Sequence, residues 1–235
     1  MEYQYPLVEG VLLKRYKRFL ADIKLKETGQ IITAHTPNTG AMLGCSQPGL
    51  RVWVQNTLNT DRKYPYGWEL VETVEQVLVG INTLLANKIV REAIGNNKIQ
   101  ELRNYHAINT EVRYGRENSR IDLLLKSASQ TDCYIEVKNV TLAENNTAYF
   151  PDAVSKRGVK HLRELMDNIN NGNRSVIFFC IQRNDVTAFA PASRIHPEYA
   201  RTLREAAETG VEILAYTCNL TTTRVAIGSS VPILL

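Results

Sequence analysis

Two apolar runs joined by a short polar connection constrain this chain more than any other stretch. Residues 119–126 read Ser-Arg-Ile-Asp-Leu-Leu-Leu-Lys, and residues 133–140 read Cys-Tyr-Ile-Glu-Val-Lys-Asn-Val. Both runs are rich in aliphatic and β-branched residues and are separated by turn-forming residues, so they predict a β-hairpin. Three consecutive leucines in the first run indicate a strand that is covered on both faces.

Three charged side chains interrupt this apolar hairpin. Asp122 lies in the first strand, where a carboxylate is costly to bury unless another group pairs with it. Glu136 and Lys138 lie in the second strand, and because side chains alternate between faces they point to the same side, roughly 7 Å apart. Two carboxylates in a low-dielectric cleft repel each other, so this pattern indicates a neutralising cation.

Magnesium or manganese is one cation that would fit. A hard divalent ion binds one or two carboxylates together with waters and phosphate oxygens, so Asp122 and Glu136 are candidate ligands, with the Val137 carbonyl as a third oxygen. A metal there would position a water and stabilise charge on an attacked phosphate. Lys138 would orient that water or neutralise the transition state. The alternative is a buried ion pair between Lys138 and the carboxylates, and the strand pattern alone favours neither.

Composition limits the class of protein. The chain has 235 residues, of which 44% are hydrophobic and 22% charged, which is typical of a globular protein. The net charge of +4 permits nucleic acid as a partner without requiring it. No apolar run is long enough to span a bilayer and the N-terminus has no signal pattern, so a cytoplasmic protein without membrane contact is expected. The four scattered cysteines include no CxxC pair, which argues against a disulfide framework or a zinc ribbon.

The chain divides into two predicted domains near residue 82. Residues 1–82 read as five or six short strands with closely spaced turns and no long helix, which predicts a small β-barrel of the five-stranded OB type. Residues 83–235 run α, β, β, β, α, β, α, β, which predicts an α/β domain with a central mixed sheet flanked by helices. In this domain residues 141–149 are predicted to be an irregular polar loop, and Asp152 is the predicted N-cap of the middle helix.

The Asp122 and Glu136-Val137-Lys138 pattern resembles the D…ExK core of restriction-endonuclease-like nucleases, the PD-(D/E)xK group. Ile121 stands where that motif has proline, a residue that shapes only the backbone. Several further motifs make the whole chain similar to the bacterial sugar fermentation stimulation protein family. They are Arg15-Tyr16-Lys17-Arg18-Phe19-Leu20-Ala21-Asp22, Pro37-Asn38-Thr39-Gly40-Ala41-Met42, Ser119-Arg120-Ile121-Asp122, Tyr134-Ile135-Glu136-Val137-Lys138 and Tyr149-Phe150-Pro151-Asp152-Ala153-Val154.

The resemblance implies an N-terminal OB-fold, a C-terminal nuclease-like domain and DNA binding. The family name comes from stimulated maltose metabolism, which is a phenotype and not a biochemical activity. Nuclease-like sites often recruit another carboxylate from the first helix, so Glu92 on that predicted helix is a candidate supporting acid. Glu111, at the start of the strand before Asp122, is a second candidate. The alternative for each of them is a solvated surface glutamate.

Clusters of positive and aromatic side chains are candidate nucleic-acid contacts. Lysine and arginine neutralise phosphates, and exposed aromatic rings stack on bases. On the middle helix Arg157 and His161 are four residues apart, share a face and would grip a phosphate near the metal. The remaining candidates lie in the predicted barrel and are Lys14, Arg15, Tyr16, Lys17, Arg18, Arg62 and Lys63. The alternative for each barrel cluster is a solvated turn whose aromatic residues belong to the core.

Two functions follow from these observations. The first is a Mg²⁺-dependent or Mn²⁺-dependent nuclease acting on DNA or RNA, in which Asp122, Glu136 and Lys138 are catalytic. The second is a non-catalytic DNA-binding effector of sugar metabolism in which the nuclease-like site is vestigial.

Overall fold

The structure, a computed structural model, describes residues 1–58, 63–115 and 119–235. Within these ranges the chain forms a β-barrel followed by an α/β unit.

Five strands close the barrel and a sixth extends it. The third strand pairs with the second on one side and, in parallel, with the fifth on the other, which leaves no open edge between them. Leu12, Ile23 and Trp68 are fully buried inside. The predicted OB-type barrel is therefore confirmed. Its strands are β1 (Leu7–Tyr16), β2 (Leu20–Leu25), β3 (Ile31–His35), β4 (Arg51–Asn56), β5 (Tyr66–Glu72) and β6 (Leu78–Gly80).

The rest of the chain forms the α/β unit. Its helices are α1 (Thr83–Gly95), α2 (Lys156–Asn170) and α3 (Pro197–Thr209), with a 3₁₀ turn at Gln100–Leu102. Its strands are β7 (Ala107–Tyr114), β8 (Ser119–Lys126), β9 (Cys133–Val140), β10 (Leu142–Glu144), β11 (Thr147–Phe150), β12 (Arg174–Ile181), β13 (Ala188–Pro191), β14 (Glu212–Leu220) and β15 (Val225–Ser230). Among the described residues, no helix has the length and the hydrophobicity that a membrane-spanning segment requires.

The main sheet has six strands in the order β15-β14-β12-β9-β8-β7. Strands β9, β12 and β14 are mutually parallel, whereas β8 pairs with β9, β7 with β8 and β15 with β14 in antiparallel fashion. The predicted mixed sheet flanked by helices is therefore confirmed.

Helices cover both faces of the β8–β9 hairpin. Leu123 and Leu125 pack in one core with Ile89 of α1, and Leu124 packs in a second core with Leu162 of α2. This arrangement is what three consecutive leucines predict, because neighbouring side chains on a strand point to opposite faces.

Two local predictions are wrong. Residues 141–149 are not an irregular loop but contain β10 and β11, which form a hairpin, and β11 also pairs in parallel with β13. These strands are three or four residues long and find a partner far along the chain, so alternation along the sequence does not reveal them. The N-cap of α2 is Ser155, whose hydroxyl accepts from the Gly158 N–H at 3.0 Å, and not Asp152.

Backbone and side-chain hydrogen bonds join the barrel to the α/β unit. The Gly80 N–H donates to the Gln182 carbonyl at 2.8 Å, and Gln182 Nε2 donates to the Asn82 carbonyl at 3.0 Å. The Thr83 hydroxyl donates to the Pro37 carbonyl at 2.6 Å. The loop that follows β3 is thereby held beside the start of α1.

Candidate active-site cleft

A cleft of about 430 Å³ lies between the barrel and the α/β unit. Its walls come from the loop after β3, from α1, from strands β7, β8 and β9, from the β10–β11 hairpin and from α2. The polar and charged residues that line it include Asn87, Glu111, Asp122, Glu136, Lys138, Asn139, Asp152, Arg157 and His161. The three predicted catalytic residues and both predicted phosphate contacts on α2 therefore share one cleft.

Asp122 lies where the two strands of the hairpin separate. Backbone pairing between β8 and β9 ends at Leu123 and Ile135, and the Val137 N–H donates instead to Asp122 Oδ2 at 2.7 Å. From α1, Asn87 Nδ2 donates to Asp122 Oδ1, also at 2.7 Å. The carboxylate therefore replaces a backbone partner at the point where the hairpin opens toward the cleft.

Burial, together with the neighbouring charge of Glu136, raises the pKa of Asp122 to about 6. The hydrogen bonds from Val137 and Asn87 and the charge of Lys138 act in the opposite direction without offsetting it. A carboxylate with a raised pKa gains from a nearby cation, because the cation favours the charged form that burial disfavours.

Glu136 is almost completely buried, with 3% of its surface exposed. Its Oε1 accepts from Lys138 Nζ at 2.5 Å and is also hydrogen-bonded to His161 Nδ1. Burial acts to raise the pKa of Glu136, but the charge of Lys138 and the bond from His161 outweigh it, and the net shift is downward. The two carboxylates of the cleft thus have pKa values displaced in opposite directions, which is common where chemistry takes place.

His161 is oriented by its neighbour one turn earlier on α2. Arg157 Nε donates to His161 Nε2 at 3.1 Å. Because Nε2 accepts, the proton of the neutral ring lies on Nδ1 and points at Glu136. The two residues therefore differ in role: Arg157 faces the cleft, and His161 donates a hydrogen bond to the Glu136 carboxylate.

One oxygen of this cluster has no partner. Glu136 Oε2 is buried without a hydrogen bond, and Asp122 and Val137 line the same cleft, so the available donors are oxygen atoms of the kind that Mg²⁺ and Mn²⁺ prefer. The described residues hold no group of three or more His, Cys, Asp and Glu side chains that could bind a metal ion. An ion here would take two carboxylates and complete its shell with a carbonyl, waters and substrate. The residues present fit a hard divalent cation bound in that way.

Residues 84–224 match the sugar fermentation stimulation protein RE domain, and residues 13–81 match the SfsA N-terminal OB domain. The chain belongs to the sugar fermentation stimulation protein family.

One solved member of the family is SfsA from Pyrococcus furiosus, whose structure is in complex with Ca²⁺. It is 28% identical in sequence, has a TM-score of 0.89 and matches 100% of this chain and 98% of its own. A repair endonuclease from Pyrococcus abyssi is 11% identical over 88% of this chain and 87% of its own, with a TM-score of 0.30, too low to bear on fold or function.

Of the two predicted supporting acids, only Glu111 reaches the cleft of this SfsA-family chain. Glu111 has a φ of 55° and faces the cleft beside Asp122, where it interrupts the β7–β8 pairing. Glu92 lies outside the cleft, because it forms an ion pair with the N-terminal amino group of Met1 at 2.9 Å and lines a different cavity. Successive helix residues are about 100° apart, so Glu92 lies roughly 140° around α1 from Asn87, the residue that contacts Asp122.

Asn87 is the functional candidate that sequence reasoning missed. Asparagine is a poor helix former, so its place one turn into α1, directly after Leu84, Leu85 and Ala86, was an available signal. That signal does not identify its partner, because Asp122 is 35 residues away in sequence.

The predicted basic cluster on the barrel has mixed roles. Arg15 is half-buried, and its Nη2 donates to three carbonyls, those of Arg18, Asn38 and Gly40, at 2.6, 2.9 and 3.0 Å, so it holds the turn after β1 to the loop after β3. Lys17 and Arg18 are exposed at a tight turn.

The other described barrel candidates contact neighbouring side chains of the barrel. Lys14 forms an ion pair with Asp22 at 3.3 Å, and Tyr16 donates its hydroxyl to the same carboxylate at 2.9 Å. Lys63 is exposed, with its amine 5.6 Å from the ring centre of Tyr64, and it does not line the cleft. Arg62, predicted with it, lies outside the described residues.

The barrel loop that forms one wall of the cleft has an anchored backbone. Asp152 Oδ2 accepts from the Met42 N–H at 2.8 Å, and Gly40 lies directly against the same carboxylate. A Cβ atom at Gly40 would lie 2.5 and 2.6 Å from the two oxygens of Asp152. Such contacts are not tolerated, so either the loop or Asp152 would have to move.

We expect Gly40→Ala to lower the free energy of unfolding by about 1–3 kcal/mol, the usual cost of overpacking, and to weaken whatever activity the cleft supports. The matched control is Gly95→Ala, because a Cβ at Gly95, the last residue of α1, meets nothing within 4 Å. Alanine favours helix, so that variant should gain up to about 1 kcal/mol. Chemical denaturation of both variants checks the pair, and equal stabilities would contradict the packing argument.

Proposed function

We propose that this chain is a divalent-metal-dependent phosphodiesterase that cleaves nucleic acid, with DNA as the first candidate substrate. The observation that carries the proposal is the buried, unpartnered Glu136 Oε2 in the same cleft as Asp122, whose pKa burial and Glu136 raise to about 6. The Ca²⁺ complex of the Pyrococcus furiosus relative supports a divalent-cation site in this family.

Three groups of the chain would hold the ion. Asp122 and Glu136 would supply carboxylate oxygens and Val137 its carbonyl. Magnesium or manganese would supply Lewis-acid polarisation of a phosphate oxygen and activation of a water. Asn87 and the Val137 N–H keep the Asp122 carboxylate in one orientation, since each donates to a different oxygen.

Lys138 supplies positive charge of its own. Its side chain is 12% exposed and lies at the lining of the cleft, where a low dielectric strengthens its interaction with charge that develops on a phosphate. His161 shares the Glu136 oxygen and so helps to keep Lys138 and the carboxylate together, with Lys138 Nζ 3.1 Å from His161 Nδ1.

Arg157 would grip a phosphate next to the one that reacts. It is exposed, and it lines both the cleft and an adjoining surface pocket that contains Arg120. A planar guanidinium matches two phosphate oxygens at once. Glu111 also lines both the cleft and the adjoining pocket, and its carboxylate would orient a water or bind a second ion.

The test is cleavage of end-labelled single-stranded and duplex DNA and RNA with Mg²⁺ or Mn²⁺. We expect cleavage by the wild-type chain and a rate about 10²- to 10³-fold lower for Lys138→Met, the usual cost of removing one transition-state contact. Lys126→Met is the matched control, because Lys126 lies on the same hairpin but forms an exposed ion pair with Asp132. The proposal fails if no substrate is cut beyond the level of an Asp122→Ala preparation.

A non-catalytic DNA-binding effector of sugar metabolism is the second candidate. The observation that favours it is the pairing of Glu136 with Lys138 and His161, which already compensates the carboxylate without a metal. In that case the chain should bind DNA with an affinity that falls steeply with salt, while Mn²⁺ leaves its melting temperature unchanged.

A further inference from the structure

An exposed aromatic pair lies on the barrel beside the cleft. Phe19 is 46% exposed, and its ring centre lies 6.5 Å from that of His35, which is also exposed. Phe19 follows the tight turn that carries Lys17 and Arg18. An exposed phenylalanine next to two cations differs from the other aromatic residues of the barrel, such as Trp68, which is fully buried.

Hydrogen bonds connect this pair to the wall of the cleft. The Thr36 N–H donates to the Phe19 carbonyl at 2.7 Å, and Arg18 donates to the Thr39 carbonyl at 2.9 Å. Thr39 and its neighbour Gly40 line the cleft that contains Asp122 and Glu136. The aromatic pair is therefore attached to the loop that forms one wall of the cleft.

The charge around the pair favours a polyanion. Lys17 and Arg18 are exposed. The nearby carboxylate of Asp22 forms an ion pair with Lys14 and accepts hydrogen bonds from Tyr16 and Thr33, so it offsets the charge of Lys14 and not that of Lys17 or Arg18. Rings of this kind stack on nucleic-acid bases with little dependence on sequence. Only a strand whose bases are not stacked in a duplex offers those faces.

We infer that the barrel presents a base-stacking platform, formed by Phe19 and His35, that selects single-stranded nucleic acid and leads it toward the cleft. That the strand is led toward the cleft rests on the proposed function, but the binding of single-stranded nucleic acid to the platform does not. Lys17 and Arg18 contact the phosphates on either side of the stacked base. Strandedness is thereby decided at the barrel and not at the metal ligands.

The test is fluorescence anisotropy in EDTA, where cleavage cannot occur, with a labelled oligothymidylate and a duplex of equal length. We expect the single strand to bind more tightly than the duplex, and Phe19→Ala to weaken single-strand binding about tenfold with little change for the duplex. Phe19→Trp should retain the affinity. Lys17→Gln should reduce the salt slope by about 0.7, the value for one phosphate of a single strand.

Ile31→Ala is the matched control, since Ile31 is 61% exposed at the opposite end of β3 from His35. His35→Ala is a second variant that should weaken single-strand binding should Phe19→Ala fold poorly. The platform is overturned if Phe19→Ala and His35→Ala bind as the wild type does, or if both forms of DNA lose affinity equally. If Phe19→Ala loses affinity for the single strand alone, the platform is supported whether or not the protein cleaves nucleic acid. Failure of the platform is therefore distinguishable from failure of the proposed nuclease.

Discussion

Replacing Glu136 by glutamine is expected to abolish cleavage and to destabilise the protein. Rates should fall about a thousandfold or more, since a catalytic metal contributes several kcal/mol to transition-state stabilisation. The free energy of unfolding should fall by about 3 kcal/mol, because removing one partner of a buried ion pair leaves the other uncompensated. Lys138, 12% exposed, would lose the carboxylate 2.5 Å away.

The lowered pKa of Glu136 also predicts how the stability of the protein changes in acid. The folded-state pKa of Glu136 is below its ordinary value, so its contribution to stability is fully present above about pH 5 and is lost as the pH falls through the lowered pKa. Denaturation curves of the wild type and Glu136→Gln should therefore converge in acid. A constant difference from pH 7 down to pH 3 would show that the ion pair does not stabilise the fold.

Replacing Asp122 by asparagine is expected to abolish cleavage by a similar factor but to stabilise the metal-free protein. The pKa of Asp122 is raised to about 6, so the charged form costs the folded state on the order of 3 kcal/mol at neutral pH. Asparagine has no charge to bury. Its oxygen can accept from the Val137 N–H and its amide can donate to Asn87, whose own amide turns over to accept.

The pH dependence of this gain has the opposite sign to that of Glu136. A carboxyl group whose folded pKa is raised lowers stability as the pH rises from about 4 to about 6, so the advantage of Asp122→Asn should be absent at pH 4 and complete above pH 7. Thermal melting in EDTA across this range is the measurement. Mn²⁺ should raise the melting temperature of the wild type and not of the variant, and a destabilised Asp122→Asn at pH 7 would contradict the electrostatic account.

The contrast between the two variants separates a metal site from a structural ion pair. A structural pair would lose stability when either carboxylate is removed. Among the described residues of the cleft, however, Glu136 is hydrogen-bonded to the cationic Lys138, whereas Asp122 accepts from the neutral donors Asn87 and Val137 and interacts with the charge of Lys138 without a hydrogen bond to it. A stabilised Asp122→Asn and a destabilised Glu136→Gln would therefore indicate that Asp122 lacks a cation that the chain itself does not provide.

Much of the fold was predictable because it follows from local periodicity. Alternation over residues 20–25 and 31–35 predicts barrel strands, and the leucines of β8 predict burial on both faces, as observed. The short strands β10, β11 and β13 were not predictable, since three or four residues carry too little alternation to be recognised.

For the candidate site, the strand pattern was enough to place Glu136 and Lys138 on one face, because side chains on a strand repeat every two residues. The groups that surround these two side chains depend on how the rest of the chain packs. Asn87 reaches Asp122 and His161 reaches Glu136 across 35 and 25 residues of chain, and Arg15 holds the wall at Asn38 and Gly40. Such partners are chosen by how helices and loops pack on the sheet, and no local period in the sequence records that choice.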